Sequence, residues 1–259
     1  MPLPISLATI HTPEPLGAAL CGGGGRLTLW SGPPYTGGVQ PVKAPIMLKA
    51  PGYSVPLGLL GVVCLVLAWS GVAPHDRAVW WAEVMPVLMA LPLLVATGRR
   101  FPLTPLTYCL IAGFALILIV GGAYTYARVP LGELLQDVFG LARNPYDRIG
   151  HFFQGVTPAI VARELLLRTS PLRRGKWLFF IVSSIALAIS ASYELVEWAT
   201  AVVWGDGSAD FLGTQGDPWD AQWDMLTALL GAVLAQLLLA RAHDRQLQRL
   251  GVLSPAGIE

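Results

Sequence analysis

The chain has 259 residues and a formal net charge of +1, and 54% of its residues are hydrophobic while only 13% are charged. Soluble domains carry about a quarter charged residues, so this composition excludes an ordinary soluble protein and is typical of a membrane protein. The mean hydropathy of +0.58 agrees with that class. A basic face of the kind that binds nucleic acid is absent from the sequence, so we exclude nucleic-acid binding as well.

The cysteines are not spaced as in a disulfide framework or a metal site. The sequence has three cysteines, Cys21, Cys64 and Cys109. An odd number without metal-ligand spacing argues against both a disulfide framework and a zinc site. Because Cys64 and Cys109 lie inside apolar runs, we expect them in the core.

Residues 1–46 are predicted to form a disordered extension, because about a third of them are glycine or proline and little of the segment can be buried. No charged segment precedes a compact apolar stretch, as a secretory signal peptide would require. We hypothesise that Met47 is the natural start of the protein and that the extension is not native.

Six apolar runs follow, each near the roughly 20 residues that a membrane-spanning helix needs. They cover residues 55–73, 79–97, 105–127, 147–168, 177–203 and 218–240. A spanning backbone must satisfy its hydrogen bonds internally, and runs of this length are too long for barrel strands. The sequence therefore predicts an all-α, polytopic membrane helix bundle of about six transmembrane helices in residues 47–245, followed by a short cytoplasmic tail at 246–259.

Lysine and arginine residues cluster in alternate loops, which predicts the orientation of the bundle. They precede the first run and follow the second, fourth and sixth runs. We expect these segments in the cytoplasm, so both termini lie inside and the loops 128–146 and 204–217 lie outside. In this orientation the fourth and sixth runs begin at the outer surface.

The fourth run carries the most unusual residues, because Asp147, Arg148, His151 and Gln154 fall within its first turns. Ionisable groups within a membrane cost about 2.5–3.5 kcal/mol each on insertion scales, so they usually face a protein interior and mark a functional site. Asp147 and His151 are four residues apart and share a helix face, which Gln154 continues inward. The sequence therefore predicts a polar stripe that runs inward from the outer surface.

The fifth and sixth runs are predicted to add acids at the same depth. Glu194 and Glu197 lie at the outer end of the fifth run, on a face that also carries small residues suited to close helix contact. Asp220 and Asp224 open the sixth run, and Gly231 and Ala235 follow on the same stripe with a small-xxx-small spacing that predicts close packing against another helix. The small residues of the fifth run are Ser183, Ala186 and Ser190.

The fourth and sixth runs begin alike, with Asn144-Pro145 and Asp217-Pro218. Each pair predicts a capping residue followed by proline at the first helical position, so that two positive helix ends point outward. At the inner edge we expect Glu164 to pair with Arg168 while Arg163 reaches the interface. Aromatic residues near the outer side are expected to form an interfacial belt, namely Tyr146, Trp198, Trp204, Trp219 and Trp223.

The candidate site is predicted where these three runs meet, because His151, Glu194 and Asp224 lie beyond the reach of capping. We expect one polar site open to the outer surface; the alternative is an internal salt-bridge network in which Arg148 and His151 neutralise carboxylates. The candidate catalytic residues are His151, Asp147, Glu194 and Asp224. The candidate binding residues are Arg148, Gln154, Glu197, Gln215, Asp220 and Trp223. A divalent cation held by His151, Glu194 and Asp224 is one interpretation of the ligand types.

Three segments carry a resemblance to a known family: YDRIGHFFQGVTPAIVARE at 146–164, YELVEWATA at 193–201 and FLGTQGDPWDAQWDMLTALLGA at 211–232. They closely resemble the YjdF family of bacterial inner-membrane proteins, whose function is uncharacterised. More distantly, the order of residues looks like the VanZ-like membrane proteins, which are associated with low-level resistance to a glycopeptide antibiotic. The positions that match the VanZ-like pattern are Asp147, Arg148, His151, Phe152, Glu194, Asp224 and Gly231. The resemblance implies a bacterial plasma-membrane location.

Three functions follow as hypotheses. The first is an enzyme at the outer leaflet that acts on a membrane lipid or a lipid-linked envelope precursor, with His151 as general acid or base, oriented by Asp147 or Glu194. The second is a non-catalytic scaffold or subunit whose polar cluster is structural. The third is a proton or cation transporter; against it, the inner halves of the runs offer few polar groups to continue a path.

Overall fold

The computed structural model describes residues 54–204 and 214–253, and within these ranges all regular secondary structure is helical. A single 3-10 turn, Tyr126–Arg128, joins the third and fourth helices. The α-helices are α1 Ser54–Ser70, α2 Arg77–Thr97, α3 Pro105–Tyr124, α4 Pro130–Phe139, α5 Tyr146–Thr169, α6 Lys176–Trp204 and α7 Asp220–Arg249. The all-α bundle is confirmed, whereas the predicted extension 1–46 and the start at Met47 lie outside the described residues.

Helix α5 is the centre of the bundle. It packs against α3, α6 and α7, most extensively against α7, while α1 and α2 pack on α3. The end at which α5 and α7 begin is called the upper end, and the end at which they finish is called the lower end. The short helix α4 lies at the upper end, where Gly132 packs directly against the Asn144 side chain. The polar helix is thus surrounded by the apolar ones.

Two glycines let α5 and α7 approach closely. A Cβ atom on Gly155 of α5 would lie 1.8 Å from the carbonyl oxygen of Ala228, and one on Gly231 of α7 would lie 2.2 Å from that of Phe152. Both distances are far below van der Waals contact, so no other residue fits without moving a backbone. The predicted contact of Gly231 with a neighbouring helix is confirmed.

In the described part of the chain, four helices, α2, α3, α6 and α7, are long and apolar enough to cross a membrane. Helix α1 is apolar but has 17 residues, or about 25 Å, which is shorter than the hydrocarbon thickness of about 30 Å. Helix α5 has 24 residues, five of them charged, and is not among the four. A membrane helix bundle is therefore confirmed, and the count of six spans stays a prediction.

Several local predictions are wrong. Cys64 and Cys109 are exposed on the bundle surface rather than in the core. Tyr146 is buried, and its hydroxyl donates to the Ile117 carbonyl oxygen at 3.1 Å. It therefore does not belong to an interfacial belt. Trp198, Trp219 and Trp223 are exposed, in agreement with the prediction; the side chain of Trp204 lies outside the described residues.

Helix α7 extends further than the sequence predicts. It continues to Arg249, past the end of the sixth run at 240 and past the predicted start of the tail at 246. Leu247 is fully buried, and the Gln246 side-chain oxygen accepts from the Leu106 backbone N–H at 2.9 Å. The last turns of α7 therefore belong to the core because they cover the start of α3.

An apolar groove of about 580 Å³ lies between α1, α2 and α3. Its polar rim is formed by Arg99 and Tyr108 at the lower end of the bundle. The residues discussed below as the candidate site lie at the upper end, so the groove does not border them.

Candidate functional site

The start of α5 is held in place by Asn144. Its side-chain oxygen accepts from the Tyr146 N–H at 3.0 Å, and its side-chain amide donates to the carbonyl oxygens of Ala127 and Val129 at 3.2 Å. Asn144 thus contacts the first residue of the helix, but α5 begins at Tyr146 and Pro145 occupies the cap position, so the prediction of Asn144 as the cap with proline at the first helical position is wrong by one residue. This anchorage sets the rotation of the first turn and directs Asp147 into the bundle.

The start of α7 follows the same design. The Asp217 carboxylate accepts from the Trp219 N–H at 2.9 Å, and the helix begins at Asp220, so Pro218 again precedes the helix. The Trp219 N–H and the Arg148 guanidinium together hold the pKa of Asp217 below its usual value. The Asp217 side chain is therefore a carboxylate near neutral pH.

Gln215 joins the two helix starts instead of facing the other candidates. Its side-chain oxygen accepts from the Asn144 N–H at 2.9 Å, and its side-chain amide donates to the Asn144 carbonyl oxygen at 3.0 Å. Both the oxygen and the nitrogen of the Gln215 side-chain amide are thus hydrogen-bonded to Asn144. The geometry gives Gln215 a positioning contact with Asn144, and its role in binding stays a prediction.

Asp147, His151 and Asp224 converge beneath these helix starts. Each offers one ligand atom, and the three atoms lie within 4.8 Å of one another. None of the three residues is more than 6% exposed. The α5–α7 approach at Gly155 and Gly231 brings this group together, because two of its members lie on α5 and the third on α7.

The sequence predicted that Asp147 or Glu194 orients His151. In the structure Gln154 orients it instead. Its Nδ1 lies 2.9 Å from Gln154 Oε1, which can only accept, so Nδ1 carries the proton. Its Nε2 lies 3.7 Å from Asp147 Oδ1, beyond hydrogen-bonding distance. The unprotonated nitrogen therefore faces the carboxylates of the group.

Glu194 and Glu197 lie beside the group. Glu194 Oε1 is 3.7 Å from His151 Nδ1, and the side chain is 10% exposed. Glu197 is buried one turn further along α6. The three-residue set that converges thus contains Asp147, and not Glu194 as the cation interpretation expected.

Two arginines cover the group at the upper end. Arg148 contacts Asp217 at 3.0 Å, Asp220 at 3.3 Å and Asp224 at 3.1 Å. Its guanidinium also lies 5.8 Å from the centre of the Trp223 ring. The predicted binding residues Arg148, Asp220 and Trp223 are therefore neighbours.

Arg143 is the second of these arginines and was not singled out from the sequence. It precedes α5, donates to Asp220 and contacts Asp147 at 3.3 Å. The one available signal was its position four residues before Asp147. Arg143 and Arg148 together neutralise part of the carboxylate charge, with each guanidinium shared among several acids.

Several buried oxygens near the group make no hydrogen bond among the described residues. They include Asp224 Oδ1 and Glu194 Oε1. Buried polar atoms in native proteins are satisfied in about nine cases of ten, so such atoms call for an explanation such as a functional role or a bound ion.

A small cavity of about 20 Å³ opens beside Asp147 and His151, and Gln154 and Glu197 also line it. This is room for one water molecule. Its far wall contains Glu83 of α2, which is 2% exposed and accepts from the Tyr193 hydroxyl at 3.0 Å. Glu83 was missed by sequence reasoning, although an acid inside the apolar run 79–97 was a signal.

A second polar cluster occupies the lower end, and its core is Glu164 with His243. The Glu164 carboxylate accepts from the His243 ring at 3.1 Å and from the Arg168 guanidinium at 2.9 Å, which confirms the predicted pair. Thr104 and Thr107 of the α3 start donate to it as well. Every polar side-chain atom of Glu164 and His243 therefore has a partner.

Arg163 is part of this lower cluster. It is 5% exposed, and it donates to His243 Nδ1 at 3.0 Å and to Asp244 at 2.7 Å. The prediction that Arg163 reaches the interface is thus wrong, because α7 offers it two buried partners. That the inner halves of the runs offer few polar groups to continue a path stays a prediction, because no observation identifies the lower end as the inner one.

The fold and the polar groups inside it define a polytopic helical membrane protein. Residues 55–245 match the family described as "Predicted membrane protein (DUF2238)", and the chain belongs to this family. It is 55% identical over 190 residues to "Inner membrane protein YjdF" of Escherichia coli (strain K12). The aligned region covers 73% of this chain and 91% of that protein. No solved structure matches the chain. The chain is a multi-pass protein of the bacterial inner membrane, and the YjdF resemblance is confirmed.

Proposed function

We propose that the protein is a membrane enzyme that acts on the head group of a lipid or of a lipid-linked envelope precursor at the outer leaflet. The observation that carries the proposal is the convergence of Asp147, His151 and Asp224 within 4.8 Å. His151 is the general acid or base, because its unprotonated Nε2 faces the carboxylates and its Nδ1 is held by Gln154. Asp147 and Asp224 bind or orient the reacting group.

The contrast between the two polar clusters supports a functional role for the upper one. In the lower cluster both nitrogens of His243 and both oxygens of Glu164 are hydrogen-bonded, as a structural network requires. In the upper cluster Asp224 and Glu194 each keep a buried oxygen that has no hydrogen bond within residues 54–204 and 214–253. A site that must receive a ligand has such unused capacity.

The position of the site supports a lipid-like substrate. Trp198, Trp219 and Trp223 are exposed near the upper ends of α6 and α7. Exposed tryptophans are enriched at the level of the lipid head groups. The two guanidinium groups of Arg143 and Arg148 lie between this level and the buried group, where an anionic head group would meet them first.

A structural role for the upper cluster is the competing interpretation. The ion pairs of Arg148 with Asp217, Asp220 and Asp224 favour it, since they tie α5 to α7. On this interpretation His151→Ala lowers the amount of protein in the membrane and has no separate effect. The enzyme proposal requires the opposite pattern.

Complementation separates the two. An Escherichia coli strain that lacks YjdF would receive this chain as wild type, His151→Ala or Asp224→Asn, and lipids and lipid-linked precursors would be measured by mass spectrometry. We expect wild type to consume a species that accumulates in the deletion strain, and both variants to leave it in place at equal protein abundance.

The matched controls are His75→Ala and Asp137→Asn, because both side chains are exposed near the upper end. They should behave as wild type. The proposal is abandoned when the two site variants restore the lipid profile as well as the controls do, or when they fail only in proportion to reduced abundance.

A further inference from the structure

We propose that Asp147, His151 and Asp224 form a binding site for one divalent transition-metal ion. The inference deepens the proposed function and rests on it, because the same three side chains are involved. With the ion bound, His151 Nε2 would be a ligand rather than the general base, and the ion would supply the activation of a water or head-group oxygen. Their ligand atoms lie within 4.8 Å of one another, a separation that a single ion can bridge with small side-chain movements. Each of the three residues is buried, so the ligands are shielded from bulk water.

The state of His151 fits a metal ligand. Metal-binding histidines coordinate through one ring nitrogen and donate the other N–H to an oxygen acceptor, which fixes the tautomer. Here Nδ1 donates to Gln154 Oε1 at 2.9 Å, which leaves the Nε2 lone pair directed toward Asp147 at 3.7 Å. A lone pair and a carboxylate at that distance repel each other unless a cation lies between them.

His243 supplies an internal comparison, because it has the opposite tautomer. Its Nδ1 accepts from Arg163, which can only donate, so its proton lies on Nε2 and is given to Glu164. Both of its nitrogens are consumed by protein partners. The two buried histidines therefore differ in that only His151 presents a nitrogen at a distance too long for a hydrogen bond.

The carboxylates provide a second, independent observation. Asp224 is 2% exposed, and its Oδ1 makes no hydrogen bond with any residue that the structure describes, although Arg148 Nε lies 3.1 Å away. Glu194 Oε1 is likewise buried without a hydrogen bond to the described part of the chain. Each carboxylate oxygen has two lone pairs, so Asp224 can hold an ion and still pair with Arg148.

The charge balance points in the same direction. Among the described residues, two guanidinium groups, those of Arg143 and Arg148, contact four acids, Asp147, Asp217, Asp220 and Asp224, and Glu194 lies beside His151. Buried carboxylate charge that lacks a counter-charge is strongly unfavourable. A dication between the helices supplies the missing positive charge.

The donor set indicates the class of ion. One imidazole with two carboxylates suits Mn²⁺ or Zn²⁺ better than the soft ions that thiolates select. The cavity of about 20 Å³ that Asp147 and His151 line is large enough for one water, although Asp224 is not part of its lining. An ion in this place would polarise a water or a head-group oxygen.

Titration of the purified protein tests the site. The chain, purified in detergent without a histidine tag and stripped with EDTA, would be titrated with MnCl₂ or ZnCl₂ while the unfolding midpoint and the bound metal are measured. We expect one ion per chain and a midpoint that rises by about 5 °C or more at a hundredfold excess over Kd. His151→Gln and Asp224→Asn should weaken binding at least tenfold.

Two further measurements keep the test decisive. His75→Gln and Asp137→Asn should bind as wild type, and Mn²⁺ bound to wild type should show the hyperfine coupling of a coordinated histidine nitrogen, whatever the stability of the variants. Binding that is absent in wild type, unchanged in the site variants or without histidine coupling overturns the metal site.

The outcomes also separate this inference from the proposed function. When wild type binds no metal but His151→Ala still abolishes the change in lipid profile, the metal site fails and the enzyme stands. When metal binds as expected but the site variants restore the lipid profile, the enzyme fails and a structural metal site remains.

Discussion

Gly155 of α5 contacts the backbone of α7 so closely that a Cβ atom there would lie 1.8 Å from the carbonyl oxygen of Ala228. Gly231 makes the reciprocal contact with Phe152. The two contacts lie one to two turns below His151 and Asp224. The distance between α5 and α7, which these glycines set, therefore decides whether the buried group can assemble.

Gly155→Ala should lower the free energy of unfolding by about 1–3 kcal/mol or more, because the added methyl must push two backbones apart. Thermal unfolding of the purified protein measures this. Gly113→Ala is the matched control, since a Cβ there meets nothing within 4 Å and the change favours the helix by about 0.5–1 kcal/mol. Equal stability of the two variants would contradict the close approach.

Glu164→Gln should cost about 3–5 kcal/mol of stability, because it leaves Arg168 in the lower cluster without its charged partner. Chemical unfolding measures the loss, and Glu133→Gln on the exposed face of α4 serves as the control. Metal affinity at the upper cluster should remain that of wild type. A variant that keeps full stability but loses metal would show that the roles of the two clusters have been interchanged.

Gln154→Leu should weaken metal binding about 10–100-fold, because the ring of His151 loses the acceptor that fixes its orientation. The Kd for Mn²⁺ or Zn²⁺ is the measurement. Gln136→Leu on α4, at the same end of the bundle, should leave the Kd unchanged. Equal affinities for the two variants would exclude Gln154 as the orienting residue.

Tyr193→Phe should destabilise the protein by about 1–3 kcal/mol, because the buried Glu83 carboxyl loses the hydroxyl that donates to it at 3.0 Å. The double variant with Glu83→Leu should recover part of the loss, since the buried carboxyl that needs the hydroxyl is then absent. Unfolding of the four proteins in the cycle measures the coupling. Tyr124→Phe is the control, because that ring is more than a third exposed, and additive losses for Glu83 and Tyr193 would exclude the pair.

The helical class and the upper cluster could be predicted because they depend on local pattern. Asp147 and His151 share a face by spacing alone, and the depth of Asp224 follows from counting residues along α7. The partners across helices could not be predicted in this way. Gln154 orients His151 because its side chain reaches Nδ1 at 2.9 Å while Glu194 lies at 3.7 Å, a difference that no spacing rule resolves.

The Glu164–Arg168 pair was predicted, but the links of the lower cluster to α7 and α3 were missed for a related reason. Glu164 and His243 are 79 residues apart, and each looks on its own like an inner-edge residue that water could reach. They are buried because α7 continues past the predicted end of its apolar run, so that its last turns cover Thr104 and Thr107 at the start of α3. The hydropathy pattern underestimated the length of α7.

The central position of α5 has a consequence for how the protein is made. A helix with five charged residues partitions poorly into lipid by itself, at a cost of about 2.5–3.5 kcal/mol for each charge near the bilayer centre. Two of the helices that shield it, α6 and α7, are synthesised after it. Until they emerge from the ribosome, α5 must wait beside α3 or within the insertion machinery, so integration of this chain is cooperative across its C-terminal half.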